Sequence, residues 1–274
     1  MNSKTNICLE SMITIKGQGP ILITCPHNVY TIRNNVEIHD KEYYVSKIVN
    51  ELYNMLGPKR CTIMMWNEEY FKNNTIFPED PNHIKNLKNS TWNKKLKIIK
   101  NRIQKNRNPS KKNRKQPLFH IDIHGASDNW YAHNKYLCVG TDGIKTHKPC
   151  IFSLFKSSLI KIITKNLNIP LTLNEPFNGY SEDFYTLSHQ SLLQGFFSLQ
   201  FELSYSLRRE MVKKSTNIEK LKITIEELYE SYKEILHTIK YKQCKQKQIT
   251  KKRKKNKKRP NKTQKLKSKN KNKK

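Results

Sequence analysis

Apolar residues recur along this chain in two rhythms. Met12 to Ile15 and Ile21 to Cys25 are short β-like runs separated by Gly17, Gly19 and Pro20, which predicts a hairpin or the entry to a sheet. Arg60 to Trp66 (RCTIMMW), Leu118 to Ile123 within PLFHIDIHGASD, Tyr136 to Gly140 (YLCVG) and Phe196 to Leu203 (FFSLQFEL) read as further strands. Between them the spacing becomes helical. Tyr44, Ile48, Leu52 and Met55 lie close to one face of a helix over Asp40 to Leu56, with Asp40 as its N-cap and Gly57-Pro58 as its stop. Ile151 to Leu167 and Ile218 to Ile239 predict two more packed helices. Ile21 to Trp66 is therefore a β-α-β unit, and the chain reads as an α/β domain. Tyr30 to His39 reads as polar loop, and Asn67 to Gln116 as mostly irregular apart from a helix marked by Leu96, Ile99 and Ile103.

Charge changes this picture in one respect. The 274 residues carry a formal net charge of +31, yet 19 of the 53 Lys and Arg lie after Ile239 and 11 lie between Lys94 and Lys115, with no acid in either segment. Without these, 23 cations face 22 acids, so the basicity is appended to a nearly neutral core. The expected organisation is a domain over residues 1–239 with a basic insertion at about 93–116, then a disordered Lys-rich tail over 240–274. The insertion reads either as solvated surface or as an arm that contacts anions. The tail suits a nuclear or nucleolar address, or salt-sensitive, sequence-nonspecific contact with nucleic acid, since it has no interleaved aromatics for stacking bases. The six cysteines are scattered with no Cys-x-x-Cys pair, which argues against a zinc ribbon and for reduced thiols. No basic-then-apolar leader opens the sequence and no run of about 18 apolar residues occurs, so an intracellular, cytoplasmic or nuclear protein without a membrane partner is expected.

The candidate chemistry sits at strand ends. Asp122 and His124 come at the close of an apolar run that Gly125 bends, where open α/β folds place ligands. A neutral imidazole is a good zinc ligand, and a neighbouring carboxylate can hold its tautomer. Pro26 stops ILITC, and His27 follows it at a second strand end. Glu202 lies inside an apolar strand and must be paired, metal-bound or protonated, because burying a lone carboxylate costs several kcal/mol. A salt bridge to Arg208 or Arg209 would also satisfy it. Capping is the alternative role for Asp40.

Three stretches in this order, CPHN with His27, HIDIHG with Asp122 and His124, and LQFELSYSLR with Glu202 and Arg208, resemble the N-formylglutamate amidohydrolase family. The loop NEPFNGY, beginning at Asn174, resembles that family's Asn-x-Pro-Phe-x-Gly-Gly segment. The resemblance spans roughly Pro20 to Met211 and leaves the basic insertion and tail unexplained. It implies a zinc-peptidase-like fold of the zinc-carboxypeptidase and phosphorylase-hydrolase kind, a mixed, mostly parallel sheet flanked by helices with one Zn²⁺ at its C-terminal edge; another divalent metal would suit the same ligands. It implies His27 and His124 as ligands, with Asp40 as third ligand and Glu42 as its alternative. Glu202 would be the general base on the metal-bound water, Asp122 would orient His124, and Arg208 and Asn174 would contact substrate. The implied activity is metal-dependent amide hydrolysis of a small N-acyl amino acid or peptide-like carboxylate substrate; a non-catalytic domain whose tail binds nucleic acid is the alternative. Two departures, Asn28-Val29-Tyr30 after the first histidine and Tyr180 at the second Gly of the Gly-Gly pair, bear on the substrate more than on the metal.

Overall fold

The computed structural model describes residues 12–34, 36–74, 76–105 and 116–257, with side chains to 239. Among the described residues nine strands form, β1 (Ile13–Gly17), β2 (Ile21–Cys25), β3 (Thr31–Arg33), β4 (Glu37–His39), β5 (Cys61–Trp66), β6 (Phe119–Ala126), β7 (Leu137–Gly140), β8 (Leu171–Leu173) and β9 (Phe197–Ser204). Eight helices accompany them: α1 (Val45–Leu56), α2 (Glu68–Lys72), α3 (Thr91–Lys105), α4 (Asp142–His147), α5 (Pro149–Leu167), α6 (Leu187–Leu193), α7 (Tyr205–Lys213) and α8 (Ser215–Lys257).

Seven strands make one mixed sheet in the order β1-β5-β2-β6-β9-β7-β8. Its centre, β5-β2-β6-β9, is parallel, while β1 and β7 run antiparallel to β5 and β9. The fold is thus the mixed, mostly parallel α/β sheet flanked by helices that the sequence leads one to expect. The predicted β2-helix-β5 unit forms. The opening hairpin does not: β1 skips β2 and pairs with β5, Ile13 opposite Trp66.

Alternation along the central strands divides the core between two faces. Leu22 and Met64 face α3, whose Trp92, Leu96, Ile99 and Ile103 form the apolar stripe read from its spacing. On the other face Phe119 and Phe197 stack at 5.9 Å and meet Phe155 of α5 and Tyr229 of α8, while α1 buries Val45, Ile48, Val49, Leu52 and Leu56. Strand β6 is polar at every second residue, so His120, Asp122 and His124 share the α3 side although all three are buried.

By internal packing the chain divides into Met1–Ser231 and Tyr232–Lys274. Helix α8 continues as helix through Lys257 where a disordered tail was expected from Lys240. The Lys, Gln and Arg that fill it are good helix formers, and no Gly or Pro interrupts them before Pro260. The rest of the predicted tail lies outside the described residues, as does most of the loop that follows α3. Among the described residues no helix is long and apolar enough to cross a membrane.

Candidate metal centre

Parallel pairing brings the chemistry to one edge. His27 follows β2 by two residues, His124 lies two residues before the end of β6, and Glu202 lies opposite His124 in the β6-β9 register. The third group is Glu42, whose backbone N–H donates to the carbonyl of His27 at 2.8 Å, closing the intervening loop on itself. Its carboxylate Oε2 accepts the N–H of Gly125 at 2.8 Å, and Oε1 stands 2.8 Å from His27 Nδ1 and 3.5 Å from His124 Nδ1. The two Nδ1 atoms are 3.2 Å apart. Asp40, expected as first choice for this position, is exposed and outside the group. It does not cap the helix either: α1 begins at Val45, after Tyr44 in a left-handed turn (φ 73°).

The outer nitrogen of each imidazole faces a buried carboxylate. His124 Nε2 is 3.1 Å from Asp122 Oδ2, and His27 Nε2 is 2.8 Å from Asp80 Oδ1. Asp80 is fastened by Arg33 Nε at 2.6 Å and by the N–H of Asn82 at 2.8 Å. The sequence reading missed Asp80. It sits in the irregular PEDPNH stretch, and the one available signal was an acid next to Pro and Asn turn formers, which also describes a surface loop.

With both Nε2–H groups given to carboxylates, two nitrogen lone pairs and a carboxylate oxygen would face one another within 3.5 Å. Such a triangle is repulsive unless a cation sits in it. Protons serve when nothing else does: burial opposes charge on His27, but Asp80 and Glu42 outweigh it and raise the imidazole to about 9. His124 is likewise raised against burial by Asp122, Glu202 and Glu42, while Glu42 is held well below the carboxylate range by the two imidazoles despite its burial. The donor set also fits a metal. Ligand bonds of about 2.0–2.1 Å place donors roughly 3 Å apart, as here, and two histidines with one glutamate leave zinc an open position.

Glu202 is 5% exposed and accepts a hydrogen bond from Gln200 Nε2. Burial, and after it the charge of Glu42, pushes its carboxyl above the usual range, while His124 pulls the other way. It has no salt bridge to Arg208 or Arg209.

No family model matches the chain, and no curated protein does. Solved structures resemble it at low identity. A gene product of Agrobacterium tumefaciens is 11% identical with a TM-score of 0.45, over 84% of this chain and 96% of that one. An N-formylglutamate amidohydrolase from Ralstonia eutropha is 10% identical with a TM-score of 0.44, over 83% and 99%. The CwlD amidase of Clostridioides difficile is 13% identical with a TM-score of 0.32, over 80% and 98%.

A cavity of about 460 Å³ opens over the three candidate ligands, and Glu202 lines it. Arg33 and His39 line it, as do Trp130, Phe177 and Tyr180, and His83 lies stacked on Phe184 at 4.2 Å in the same wall. Arg208 and Asn174 are not among the lining residues. Arg208 is 4% exposed and spends Nη1 on the carbonyls of Leu203 (2.6 Å) and Ala126 (3.2 Å), fastening β9 to β6. Asn174 Oδ1 accepts the backbone N–H and hydroxyl of Thr141 and anchors the 174–180 loop to the end of β7. The arginine that does line the cavity is Arg33, whose Nε is already committed to Asp80.

Proposed function

We propose that this protein is a metal-dependent hydrolase, zinc being the first candidate, that cleaves an amide bond in an N-acyl amino acid or peptide-like carboxylate substrate. The observation that carries the reading is the convergence of His27 Nδ1, His124 Nδ1 and Glu42 Oε1, each imidazole backed by its own buried carboxylate. His27, His124 and Glu42 would hold the ion. Bound there, it would supply Lewis acidity and lower the pKa of a water ligand towards about 7. Glu202 takes the proton from the attacking water and returns it to the departing nitrogen, a role suited to a carboxyl whose proton affinity burial has raised. Gln200 holds that carboxylate in place. Arg33 offers its terminal nitrogens to a substrate carboxylate, the role Arg208 cannot fill from beneath Gly125.

Metal content of the purified chain beside His27→Ala and His124→Ala tests the centre. About one zinc per chain, lost in both variants, is the expected result. Absence of metal in the unaltered protein after zinc is supplied overturns it. Glu202→Gln should then keep zinc and lose about 10²- to 10⁴-fold in turnover on N-acyl amino acids.

The acid-free cations after Ile239 favour a second, compatible reading, in which that segment holds nucleic acid through phosphate contacts. Deleting residues 240–274 should abolish salt-sensitive nucleic-acid binding and spare hydrolysis; retained binding would refute it.

A further inference from the structure

Two buried groups compete for His124 Nε2. Asp122 Oδ2 lies at 3.1 Å and asks for a proton on that nitrogen. Asn82 Nδ2 lies at 3.2 Å and asks for a lone pair. The amide cannot turn round to end the conflict, because Asn82 Oδ1 accepts the N–H of Leu187 at 2.6 Å. Each claimant implies a different tautomer. If Asp122 prevails, Nε2 carries the hydrogen and Nδ1 turns a lone pair towards Glu42 and His27. If Asn82 prevails, Nδ1 carries the hydrogen and points it at the place where a cation would sit.

Below His124 the buried face of β6 decides the matter. Asp122 Oδ1 accepts the hydroxyl of Thr24 at 2.5 Å, and Oδ2 accepts that of Ser188 at 3.4 Å. Thr24 has one hydrogen and gives it to Asp122, so the 2.8 Å contact between Thr24 Oγ1 and His120 Nε2 must be donated by His120. His120 Nδ1 is then an acceptor; the hydroxyl of Ser198 lies 2.7 Å from it, and that of Ser191, 2.6 Å away, also reaches the carbonyl of Ser188 at 3.3 Å. From His120 through Thr24 the hydrogens point the same way, and the chain ends on Asp122. Thr24 and His120 are completely buried.

We propose that His120 and Thr24 are positioning residues that hold Asp122 as the anionic acceptor for His124 Nε2–H and so keep Nδ1 free as a metal donor. As far as metal is concerned the inference rests on the hydrolase reading; the tautomer itself does not. A hydrogen bond to a charged acceptor is roughly twice as strong as a neutral one, which gives Asp122 the advantage while its other oxygen is satisfied. Removing the Thr24 hydroxyl leaves that oxygen without a donor, turns the carboxylate away, and hands Nε2 to Asn82.

The test compares Thr24→Val, which keeps the shape and loses the hydroxyl, with Thr24→Ser, which keeps the hydroxyl. Zinc affinity is measured by chelator competition, and imidazole nitrogen NMR of the metal-free proteins, at a pH where His124 is neutral, reports its tautomer. Thr24→Val should bind zinc about 10- to 100-fold more weakly and show Nδ1–H, while Thr24→Ser should match the unaltered chain in both. Unchanged affinity and an unchanged Nε2–H signal in Thr24→Val overturn the inference, as does equal damage in Thr24→Ser. Should Thr24→Val not fold, Ser188→Ala carries the comparison, with a loss of about threefold expected and no loss refuting it. A chain that binds no zinc at all defeats the hydrolase reading, while the NMR arm still decides whether the hydroxyl sets the tautomer.

Discussion

Gly125→Ala should be among the most damaging small substitutions in the sheet, and the reason lies in Arg208. A methyl group at position 125 would stand 2.0 Å from Arg208 Nη1 and 2.3 Å from its Cζ. Ordinary contact begins well beyond 3 Å, so the guanidinium must retreat by more than about 1 Å. It has no slack, because Nη1 is bonded to two carbonyls, those of Leu203 and Ala126. Hydrogen bonds involving a charged partner contribute about 1.5–3 kcal/mol each, so losing both at the lower figure costs about 3 kcal/mol. Urea unfolding of Gly125→Ala in the native background and in Arg208→Met measures this. The alanine should cost about 3 kcal/mol in the first and less than about 1 kcal/mol in the second, where the obstacle is gone. An equal cost in both backgrounds, or a negligible cost in the first, would refute the account of Arg208 as the fastening between β6 and β9.

Two other outcomes follow from the same geometry. Asp80→Asn should weaken zinc binding by about 10- to 100-fold while leaving Glu202 in place, since it removes the anion behind His27 Nε2; chelator competition reads it, and an unchanged affinity would separate Asp80 from the centre. His120 is held at about 4 chiefly by burial, with Asp122 working against it and His124 with it. Its pKa is depressed relative to the unfolded chain, so its share of stability is complete above about 6.5 and is lost as the pH falls towards 4, to a total of about 3 kcal/mol. His120→Asn should flatten that acid limb in metal-free urea titrations; an unaltered slope would contradict it.

The elements with burial signals were legible. ILITC, RCTIMMW and FFSLQFEL became β2, β5 and β9 within a residue, and Leu96, Ile99 and Ile103 marked the buried stripe of α3. Residues 30–39 read as loop because β3 and β4 are three residues each, Ile38 of β4 is 52% exposed and Val36 between the two strands is 84% exposed, so no core pattern announces them. Strand ends pointed to His27 and His124, and the cost of burying a lone carboxylate inside an apolar strand pointed to Glu202. The partners that arrive from loops were not legible: Asp40 and Glu42 are two positions apart, and what separates them is that Glu42 bonds to the backbone of His27 and Gly125. Arg208 and Arg33 illustrate a related blindness. Sequence shows a guanidinium, not whether backbone carbonyls have already consumed it.

The bond from the N–H of Glu42 to the carbonyl of His27 joins the two ends of a segment that also contains the β3-β4 hairpin. Ile32 and Arg33 are stitched in turn to Pro78 and Asp80. The β3-β4 hairpin is therefore the tip of a loop whose base is pinned at the candidate ligands. Doubling such a tip costs only about 0.6 kcal/mol of closure entropy. Arg33 and His39, the hairpin residues that line the cavity, lie on either side of that tip, so insertions and deletions there would alter the cavity's wall while the pinned base keeps its geometry, and selection can change preference without dismantling the centre on which any chemistry depends.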